Sequence, residues 1–554
     1  MSSFRRRALL LLAPLFLFAT GILLFPSSGR DDAHIGYWVA LCLARFGRVM
    51  NYNGDAVEQS STLLHALVLA AAYRVTHIDM VVLGRLSAIV FGVGAVLMTQ
   101  RVAARIDRAL AIPAGLLVAS SAYFIYWSFG GMEGTLCALL ALCLILLFGD
   151  YVASPNERLL TPALIPVTLV ILAFLLVRPE QPLVLGFVLV GAFVVRRDQW
   201  RRLLVLAGIA AVAAIAIFVW RWQTFHSLFP QPVSAKSGAL PLHTAKVGFR
   251  YFSRHVLVRP SIAFLFFVAA VGAIQSARVI LRHGRTPSHL VFALLYLCSY
   301  GAFVILAGGD WMEAGRFFVP LLPVVAIFAA IAWRNAPRFS GAVALLLLAA
   351  QLCGIAQVAR RVSTAVPLWS EVTTEPYMSE SHRADFSWFE RANRPNLRDI
   401  PTIRRLDALV RQLRTARGDA EPVRMMSAQL GMVAYYVVGA HFGHVQLLDR
   451  RGLIDRRFSS CSLLSRLRRT AGGLQLDYDY YFAHRDELER ECHVPRPDII
   501  FDIGEPRLLP DYTVVYTQSG AIRTDSKWLP GSNFRASQFI AVRSDFLPLL
   551  EREQ

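Results

Sequence analysis

The feature that most constrains this chain is a series of long apolar runs that recurs over residues 8–358, separated by short polar breaks. A run of about 20 apolar residues is long enough to cross the hydrocarbon core of a bilayer as a helix. Overall, 55% of the residues are hydrophobic and the mean hydropathy is +0.47, which exceeds what a water-soluble protein keeps away from solvent. The sequence therefore predicts a polytopic, mainly α-helical membrane protein.

The chain changes character after the last apolar run. Residues 359–554 are charged and mixed in composition, and a stretch of just under 200 residues is a usual size for one domain. We therefore expect a transmembrane domain over residues 1–358, followed by a soluble α/β domain over residues 359–554. Eleven spans are predicted, at 8–26, 81–99, 109–127, 132–149, 161–177, 182–195, 203–220, 259–277, 290–307, 317–333 and 339–358.

The distribution of arginine predicts the orientation of these spans. With the N-terminus in the cytoplasm, sixteen arginines fall on the inner side, at positions 5, 6, 7, 101, 105, 108, 158, 196, 197, 201, 202, 278, 282, 285, 334 and 338. The positive-inside rule favours this arrangement, which explains much of the net charge of +19 without a nucleic-acid partner. An odd number of spans then places the C-terminal domain outside the cytoplasm. We expect a multi-pass protein of the bacterial inner membrane.

The first outer loop, residues 27–80, carries two amphipathic stretches. An apolar run over 63–75 is interrupted by His65 and Tyr73, which favours a helix at the membrane interface over a further span. Of seven cysteines, only Cys461 and Cys492 lie in the C-terminal domain, and no CxxC or Cys/His metal spacing occurs. If that domain is extracytoplasmic, its compartment is oxidising, and Cys461 and Cys492 can form a disulfide. The alternative is that both remain free thiols.

Unusual polar residues collect on the predicted outer face. An isolated charge at a span end is commonly an interfacial anchor. Carboxylates and arginines gathered on one face indicate a binding or catalytic site instead. Adjacent carboxylates can act as a base or as cation ligands, and arginine can bind a phosphate. These clusters are Asp31, Asp32 and His34; the segment from Asn51 to Asp55; Glu133; Arg178 and Glu180; and Asp310, Trp311, Glu313 and Arg316.

Two classes of protein fit an outward-facing polar site at the lipid interface: a lipid-dependent transferase and a transporter. A transporter typically has ionisable residues or helix breaks near the midpoints of its spans, and two related halves. The predicted span centres contain no Asp, Glu, Lys or Arg, and the sequence shows no internal repeat. The residues therefore favour the transferase.

At these same positions the sequence resembles the GT-C superfamily of integral-membrane glycosyltransferases. The loop that starts Asp31-Asp32-Ala33 and the run Gly308-Gly309-Asp310-Trp311-Met312 are similar to motifs of this superfamily. Further similarity lies in residues 130–133 and 176–180, in Phe229, Pro230, Ala235 and Lys236, and in tail segments such as 448–455. Gln231 departs from the pattern, which has Asn after the proline. The resemblance is to the branch that contains the mycobacterial terminal arabinofuranosyltransferase and its Gram-negative relatives.

This resemblance implies an inverting transfer of a sugar from a polyprenyl-phosphate carrier. Asp31 or Asp32 is the expected base, because a carboxylate suits deprotonation of an acceptor hydroxyl, and the other aspartate binds a divalent cation or the acceptor. Cationic donors stabilise the leaving phosphate, and the candidates are Arg316, Arg178 and Lys236. The residues expected to bind sugar or acceptor, or to orient the arginines, are Glu133, Glu180, Asp310, Trp311, Glu313 and His34.

The sugar and acceptor stay open at the level of sequence. Branch resemblance favours arabinofuranose, with mannose or another sugar as the alternative, and the acceptor is an extracytoplasmic glycan, a lipopolysaccharide or a surface protein. The motifs require no cofactor, and a divalent cation at Asp31 or Asp32 is the one candidate. A ligase of the O-antigen type is a third option, but its long outer loop rich in arginine and histidine is absent.

Overall fold

The structure is a computed structural model of the chain. It describes residues 3–24, 32–154, 158–236, 241–282, 286–309, 312, 314–336, 340–359, 399–418, 421–427, 430–457, 461, 478–503, 509–522 and 536–551. Contacts divide the chain into two compact units. The helical unit comprises Met1–Ser28, Gly84–Trp220 and Leu240–Pro367, and the sheet unit comprises Gly29–Leu83, Arg221–Ala239 and Leu368–Gln554.

Helices overlap every span that the sequence predicts. Within the described ranges, five helices are long and apolar enough to cross a membrane, namely α4, α7, α10 with the turn before it, α13 and α14 as defined below. The multi-pass, mainly helical architecture is therefore confirmed, whereas the number of eleven spans stays a prediction. In chain order the helices are α1 (Ser3–Leu24), α2 (Ala33–Phe46), α3 (Leu63–Thr76), α4 (Met80–Ile106), α5 (Ala111–Ala119), α6 (Ala122–Trp127), α7 (Gly134–Ala153), α8 (Leu164–Val177), α9 (Gln181–Val195), α10 (Trp200–Phe225), α11 (Gln231–Lys236), α12 (Pro241–Phe252), α13 (Pro260–Arg282), α14 (Ser288–Leu306), α15 (Leu322–Arg334) and α16 (Ser340–Ala359).

The predicted span 109–127 is divided into α5 and α6. The hydroxyl of Ser120 donates a hydrogen bond to the carbonyl oxygen of Leu116 at 2.8 Å, one turn earlier. Such a bond competes with the backbone ladder and bends or ends a helix. Hydropathy alone does not reveal the break, because Ser120 and Ser121 interrupt the apolar run for only two positions.

The helical unit is organised around α15. Every residue of α15 from Leu322 to Ala332 is buried, and α5, α7, α13 and α16 pack against it. Helix α8, by contrast, is apolar on all sides but exposes Ile165 and Leu169 by 65% and 60%. A helix that is apolar all round needs an apolar environment all round, so this outer face suits lipid acyl chains.

The C-terminal part of the sheet unit contains one five-stranded sheet. The strands are β1 (Val423–Ser427), β2 (Val445–Asp449), β3 (Ile499–Ile503), β4 (Tyr512–Ile522) and β5 (Ala536–Arg543), in the order β2-β1-β3-β5-β4. Strands β2, β1 and β3 are parallel, and β5 pairs antiparallel with β3 and β4. The helices of this part are α17 (Asp399–Arg417), α18 (Met432–Ala440), α19 (Tyr478–Ala483), α20 (Arg485–Cys492) and α21 (Leu547–Glu551).

The first outer loop folds in the same unit as this sheet. Its helices α2 and α3 pack together, and Arg74 Nε donates to the carbonyl oxygen of Ala44 at 2.8 Å. Helix α18 packs against α2, and the Trp38 ring lies 5.4 Å from the ring of Phe442. Contacts thus group the first outer loop with the C-terminal domain, whereas hydropathy places it in the transmembrane domain. That a transmembrane domain ends at residue 358 and a soluble domain begins at residue 359 stays a prediction.

Cys461 and Cys492 are joined by a disulfide in the structure, with their Cα atoms 5.3 Å apart. This bond persists only if the domain lies in an oxidising compartment. We expect mass spectrometry of protein that was alkylated before purification, without reductant, to find the two cysteine peptides linked. Free alkylation of both thiols in folded protein would contradict the extracytoplasmic location. Cys42, which is outside the disulfide and reacts once the protein is denatured, serves as the reference for a free thiol.

Candidate functional site

Three charged side chains meet at the helix ends of the helical unit. Glu133 directly precedes α7, Arg178 is the extended residue after α8, and Glu180 directly precedes α9. The guanidinium of Arg178 donates through NH1 to Glu133 Oε1 and through Nε to Glu180 Oε1, each at 2.5 Å. The side chains of Arg178, Glu133 and Glu180 are 10%, 4% and 5% exposed, respectively. The structure therefore brings together three of the residues that the sequence singles out, as one buried cluster.

The charge balance of this cluster limits what Arg178 does. Two carboxylates surround one guanidinium, so the ionised cluster carries a net charge of about −1. Breaking a buried ion pair by removing one partner costs roughly 3–5 kcal/mol, because the remaining charge is left uncompensated. Arg178 is thus well placed to orient Glu133 and Glu180, and its role as a phosphate ligand stays a prediction.

Arg316 lies on a loop that packs beside this cluster. The guanidinium carbons of Arg178 and Arg316 lie 5.1 and 5.3 Å from the centre of the Phe317 ring, so one aromatic ring contacts both cations. Trp127 Nε1 donates to the carbonyl oxygen of Ala314 at 2.9 Å and holds the loop in place. Three further candidates on this loop, Asp310, Trp311 and Glu313, lie outside the described residues.

The same loop requires glycine at Gly309. Its φ is +70°, and a Cβ atom there would lie 2.3 Å from Cγ of Tyr251. Only glycine combines a left-handed conformation with so close an approach. The Tyr251 hydroxyl in turn accepts a hydrogen bond from the backbone N–H of Phe317 at 3.2 Å. Tyr251 therefore fixes the backbone next to Arg316.

Tyr251 and its neighbours are not among the residues that the sequence singles out. The π-helical turn Ser253–Leu257 follows α12, and it buries His255, whose ring centre lies 4.6 Å from that of Tyr251. Single π-turns are frequent at functional sites. Arg259 follows and is 9% exposed. The sequence does offer one signal: the predicted outer loop 221–258 carries several basic residues, whereas the other outer loops carry fewer near the span ends.

In the sheet unit, the start of the first outer loop is partly described. Asp31 lies outside the described residues, and Asp32 is the half-buried residue that precedes α2. His34 is fully buried, with its ring centre 5.3 Å from that of Tyr37 and 5.4 Å from that of Tyr435. This environment favours a packing role for His34, and its predicted contact with sugar stays a prediction.

Asn53 attaches this loop to the edge of the sheet. Its side-chain amide donates to the carbonyl oxygen of Leu447 at 2.9 Å and accepts from the N–H of Leu447 at 2.7 Å. Because β2 is an edge strand, the carboxamide replaces the hydrogen bonds that a neighbouring strand would make. Asn51 Nδ2 donates to the carbonyl oxygen of Ile454 at 2.9 Å. The C-terminal domain thus holds the loop that carries the candidate base.

A buried ion pair forms a second attachment in the sheet unit. Arg221 donates through Nε and NH2 to the two oxygens of Glu58 at 2.8 and 3.0 Å, and both side chains are 2% exposed. Gln231 donates through its backbone N–H to the carbonyl oxygen of Glu58 and through its side chain to that of Gly452. The departure from the family pattern at Gln231 therefore has a structural role. Lys236 ends α11, and its side chain lies outside what the structure describes.

The loop after β2 depends on a buried carboxyl group. Asp449 is fully buried and accepts hydrogen bonds from the N–H groups of Arg451 and Ile454 at 2.8 and 2.7 Å. Burial raises the pKa of Asp449 to about 6, although the two N–H groups act in the opposite direction. Its ionisation therefore falls close to neutral pH.

A divalent cation has no complete ligand set in the part of the chain that the structure describes. There, no three His, Cys, Asp or Glu side chains are close enough together to hold a metal. Because Asp31 is outside these residues, binding of a cation by Asp31 or Asp32 stays a prediction.

Comparison with known proteins identifies the fold. No family model matches the chain, and no curated protein matches it. The oligosaccharyltransferase of Archaeoglobus fulgidus, solved in complex with Zn and sulfate, is similar over 88% of this chain and 67% of its own, with 12% identity and a TM-score of 0.51. ArnT from Cupriavidus metallidurans, bound to undecaprenyl phosphate, is similar over 97% of this chain and 98% of its own, with 15% identity and a TM-score of 0.45.

The arabinosyltransferase EmbB of Mycobacterium smegmatis is also similar, over 66% of this chain and 40% of its own, with 15% identity and a TM-score of 0.39. The likeness to the archaeal oligosaccharyltransferase shows the fold. The chain is therefore a multi-pass membrane protein with the fold of this oligosaccharyltransferase.

Proposed function

We propose that this protein is a membrane glycosyltransferase that moves a sugar, arabinofuranose in the first instance, from a polyprenyl-phosphate carrier to an extracytoplasmic acceptor. The observation that carries the proposal is the buried cluster of Glu133, Arg178 and Glu180 beside Arg316, within a GT-C fold. Acidic and basic side chains buried together at helix ends suit a substrate that combines a phosphate with hydroxyl groups.

Each part of the reaction has a candidate residue. Asp31 or Asp32 takes the proton from the acceptor hydroxyl, and the acceptor oxygen bonds to the anomeric carbon while the bond to the carrier phosphate breaks. Attack from the opposite face gives inversion. Arg316 and Lys236 stabilise the charge on the released phosphate, and Glu133 and Glu180 bind sugar hydroxyls. Asp310, Trp311 and Glu313 adjoin Arg316 in sequence and are proposed to line the same site.

The cellular setting is part of the proposal. The protein resides in a bacterial inner membrane with its C-terminal domain on the extracytoplasmic side. The acceptor is a cell-envelope glycan, a lipopolysaccharide or a surface protein. The anchoring of the first outer loop by Asn51 and Asn53 supports a C-terminal domain that positions this loop as well as the acceptor.

The proposal is tested by transfer from synthetic donors in nanodiscs. We expect the wild-type protein to consume polyprenyl-phosphate arabinofuranose and release the free carrier phosphate. A phosphate ligand acts in the ground state and in the transition state, so Arg316→Ala should weaken carrier binding and turnover together. A charge-assisted hydrogen bond contributes about 1.5–3 kcal/mol, which corresponds to roughly 10–150-fold in kcat/KM.

A cation on the opposite end of the spans provides the control. Arg105, which pairs with Asp150 at 3.2 Å, is replaced by alanine, and donor consumption should be unchanged. If the protein consumes polyprenyl-phosphate mannose and not the arabinofuranose donor, the proposed sugar is wrong but the proposed class of reaction is right. If no polyprenyl-phosphate sugar is consumed with any acceptor, the transporter becomes the better explanation.

A further inference from the structure

Helix α12 packs against the last turn of α14 in the helical unit. A Cβ atom on Gly248 would lie 1.9 Å from the carbonyl oxygen of Ile305, so glycine is what lets the two backbones come this close. The loop that follows α14 carries Arg316, which shares the Phe317 ring with Arg178. Helix α12 therefore lies at the same end of the spans as the charged cluster.

The other side of α12 is exposed and carries both apolar and basic side chains. Leu242 and Phe249, two turns apart, are 85% and 56% exposed. Lys246 and Arg250, one turn apart, are exposed as well, and neither forms an ion pair with any residue that the structure describes. The helix has 12 residues, which is too short to cross a bilayer. Exposed apolar and basic residues together are typical of a helix that lies between the headgroups and the hydrocarbon.

The two exposed cations do not face the proposed site of transfer. Tyr251 is the residue of α12 that contacts that site, since it is buried and its hydroxyl accepts from the backbone N–H next to Arg316. Successive residues are about 100° apart around a helix axis, so Arg250 lies about 100° and Lys246 about 140° from Tyr251. Their positive charge is therefore directed away from the phosphate that reacts.

We propose that α12 is an interfacial helix that binds the anionic headgroups of bilayer phospholipids through Lys246 and Arg250, with Leu242 and Phe249 among the acyl chains. Charge complementarity identifies the ligand, because basic residues at a membrane surface attract acidic lipids such as phosphatidylglycerol. The binding is independent of the proposed function, and only its consequence for sugar transfer rests on that function.

The buried side of α12 connects this lipid surface to the loop of Arg316. The Tyr251 ring stacks on the Phe318 ring with their centres 5.3 Å apart, and its hydroxyl holds the backbone of Phe317. A ligand that binds only the folded form of a segment stabilises it. Phospholipid bound to α12 therefore also stabilises residues 316–318, and anionic lipid favours the arrangement in which Arg316 can act.

Hydrogen exchange of the full-length protein in nanodiscs tests the proposal at this helix. Exchange of Pro241–Phe252 is compared in phosphatidylcholine alone and in phosphatidylcholine mixed with phosphatidylglycerol. We expect it to be about tenfold slower in the mixture, which corresponds to about 1.4 kcal/mol and lies within the contribution of two basic residues at an anionic surface. In Lys246→Gln/Arg250→Gln this difference should disappear, and residues 316–318 should follow the same pattern.

A second exposed pair of arginines supplies the matched control. Arg278 and Arg282 lie one turn apart in the last two turns of α13, whose first residue is the one nearer to α12 in the chain. Arg278→Gln/Arg282→Gln should leave the response of α12 to phosphatidylglycerol unchanged.

Three results would overturn the inference. The first is equal exchange of wild-type α12 in the two lipids, and the second is a response that survives in Lys246→Gln/Arg250→Gln. The third is protection by polyprenyl phosphate, added to phosphatidylcholine nanodiscs, without protection by phosphatidylglycerol, because the carrier would then be the ligand. Exchange is measured without a sugar donor, so a failed transfer assay is a separate result that concerns only the proposed function.

Discussion

Replacing the catalytic base, which is either Asp31 or Asp32, by asparagine is expected to reduce sugar transfer by about 10²–10⁴-fold, the usual contribution of general acid–base catalysis. Asparagine keeps the shape of the side chain and cannot accept the proton of the acceptor hydroxyl. The base variant should lose kcat while its Kd for the carrier stays near the wild-type value. The other variant should mainly raise KM for the acceptor, or abolish any dependence on a divalent cation. Single-turnover transfer from polyprenyl-phosphate arabinofuranose distinguishes the two.

The first outer loop also provides the control for this experiment. Asp55 is an exposed carboxylate of the same loop, and its side chain accepts a hydrogen bond from Asn51 at 3.1 Å. Asp55→Asn keeps an oxygen acceptor there, so near-normal transfer is expected. The wild-type pH–rate profile should fall on its acidic side as the base is protonated, and this limb should vanish in the base variant. Near-normal rates in both folded Asp31→Asn and Asp32→Asn would place the base elsewhere.

How much of this fold the sequence predicts depends on how far apart along the chain the interacting residues lie. The spans are predictable because hydropathy is a property of contiguous residues, and each predicted span overlaps a helix. Glu133, Arg178 and Glu180 are predictable as candidates because charges at span ends are conspicuous. Their pairing is not, since Arg178 and Glu133 are 45 residues apart and no local pattern connects them.

Longer-range contacts are hidden from the sequence for the same reason. The bond between Asn53 and Leu447 joins residues 394 positions apart, and polar residues at a turn are common without any such partner. Gln181 directly follows Glu180 in sequence, and Tyr296 lies within an apolar run. That both side chains are buried without a hydrogen-bond partner among the described residues becomes visible only when the helices are packed.

Breaking the Glu58–Arg221 pair is expected to cause the largest loss of stability in the sheet unit. The two side chains are 163 residues apart and 2% exposed, and removing one partner of a buried pair costs roughly 3–5 kcal/mol. Burial raises the pKa of Glu58, and Arg221 acts against this rise. Each single variant leaves one buried charge without its partner, so the double variant Glu58→Gln/Arg221→Met should be more stable than at least one single variant.

The two single variants should also differ in their dependence on pH. In Arg221→Met the remaining carboxyl can take up a proton, and its pKa in the folded state lies above that in the unfolded state. The destabilisation is therefore present above the folded pKa and is relieved as the pH falls through it. In Glu58→Gln the buried guanidinium cannot lose its proton, so the loss should persist from pH 8 to pH 5.

The pair Arg417–Glu421 is the control. Its carboxylate is 62% exposed, so Glu421→Gln should cost less than about 1 kcal/mol. Melting temperatures in nanodiscs at the two pH values measure all of these differences. Equal losses at both pH values for Arg221→Met would contradict the expected protonation of Glu58.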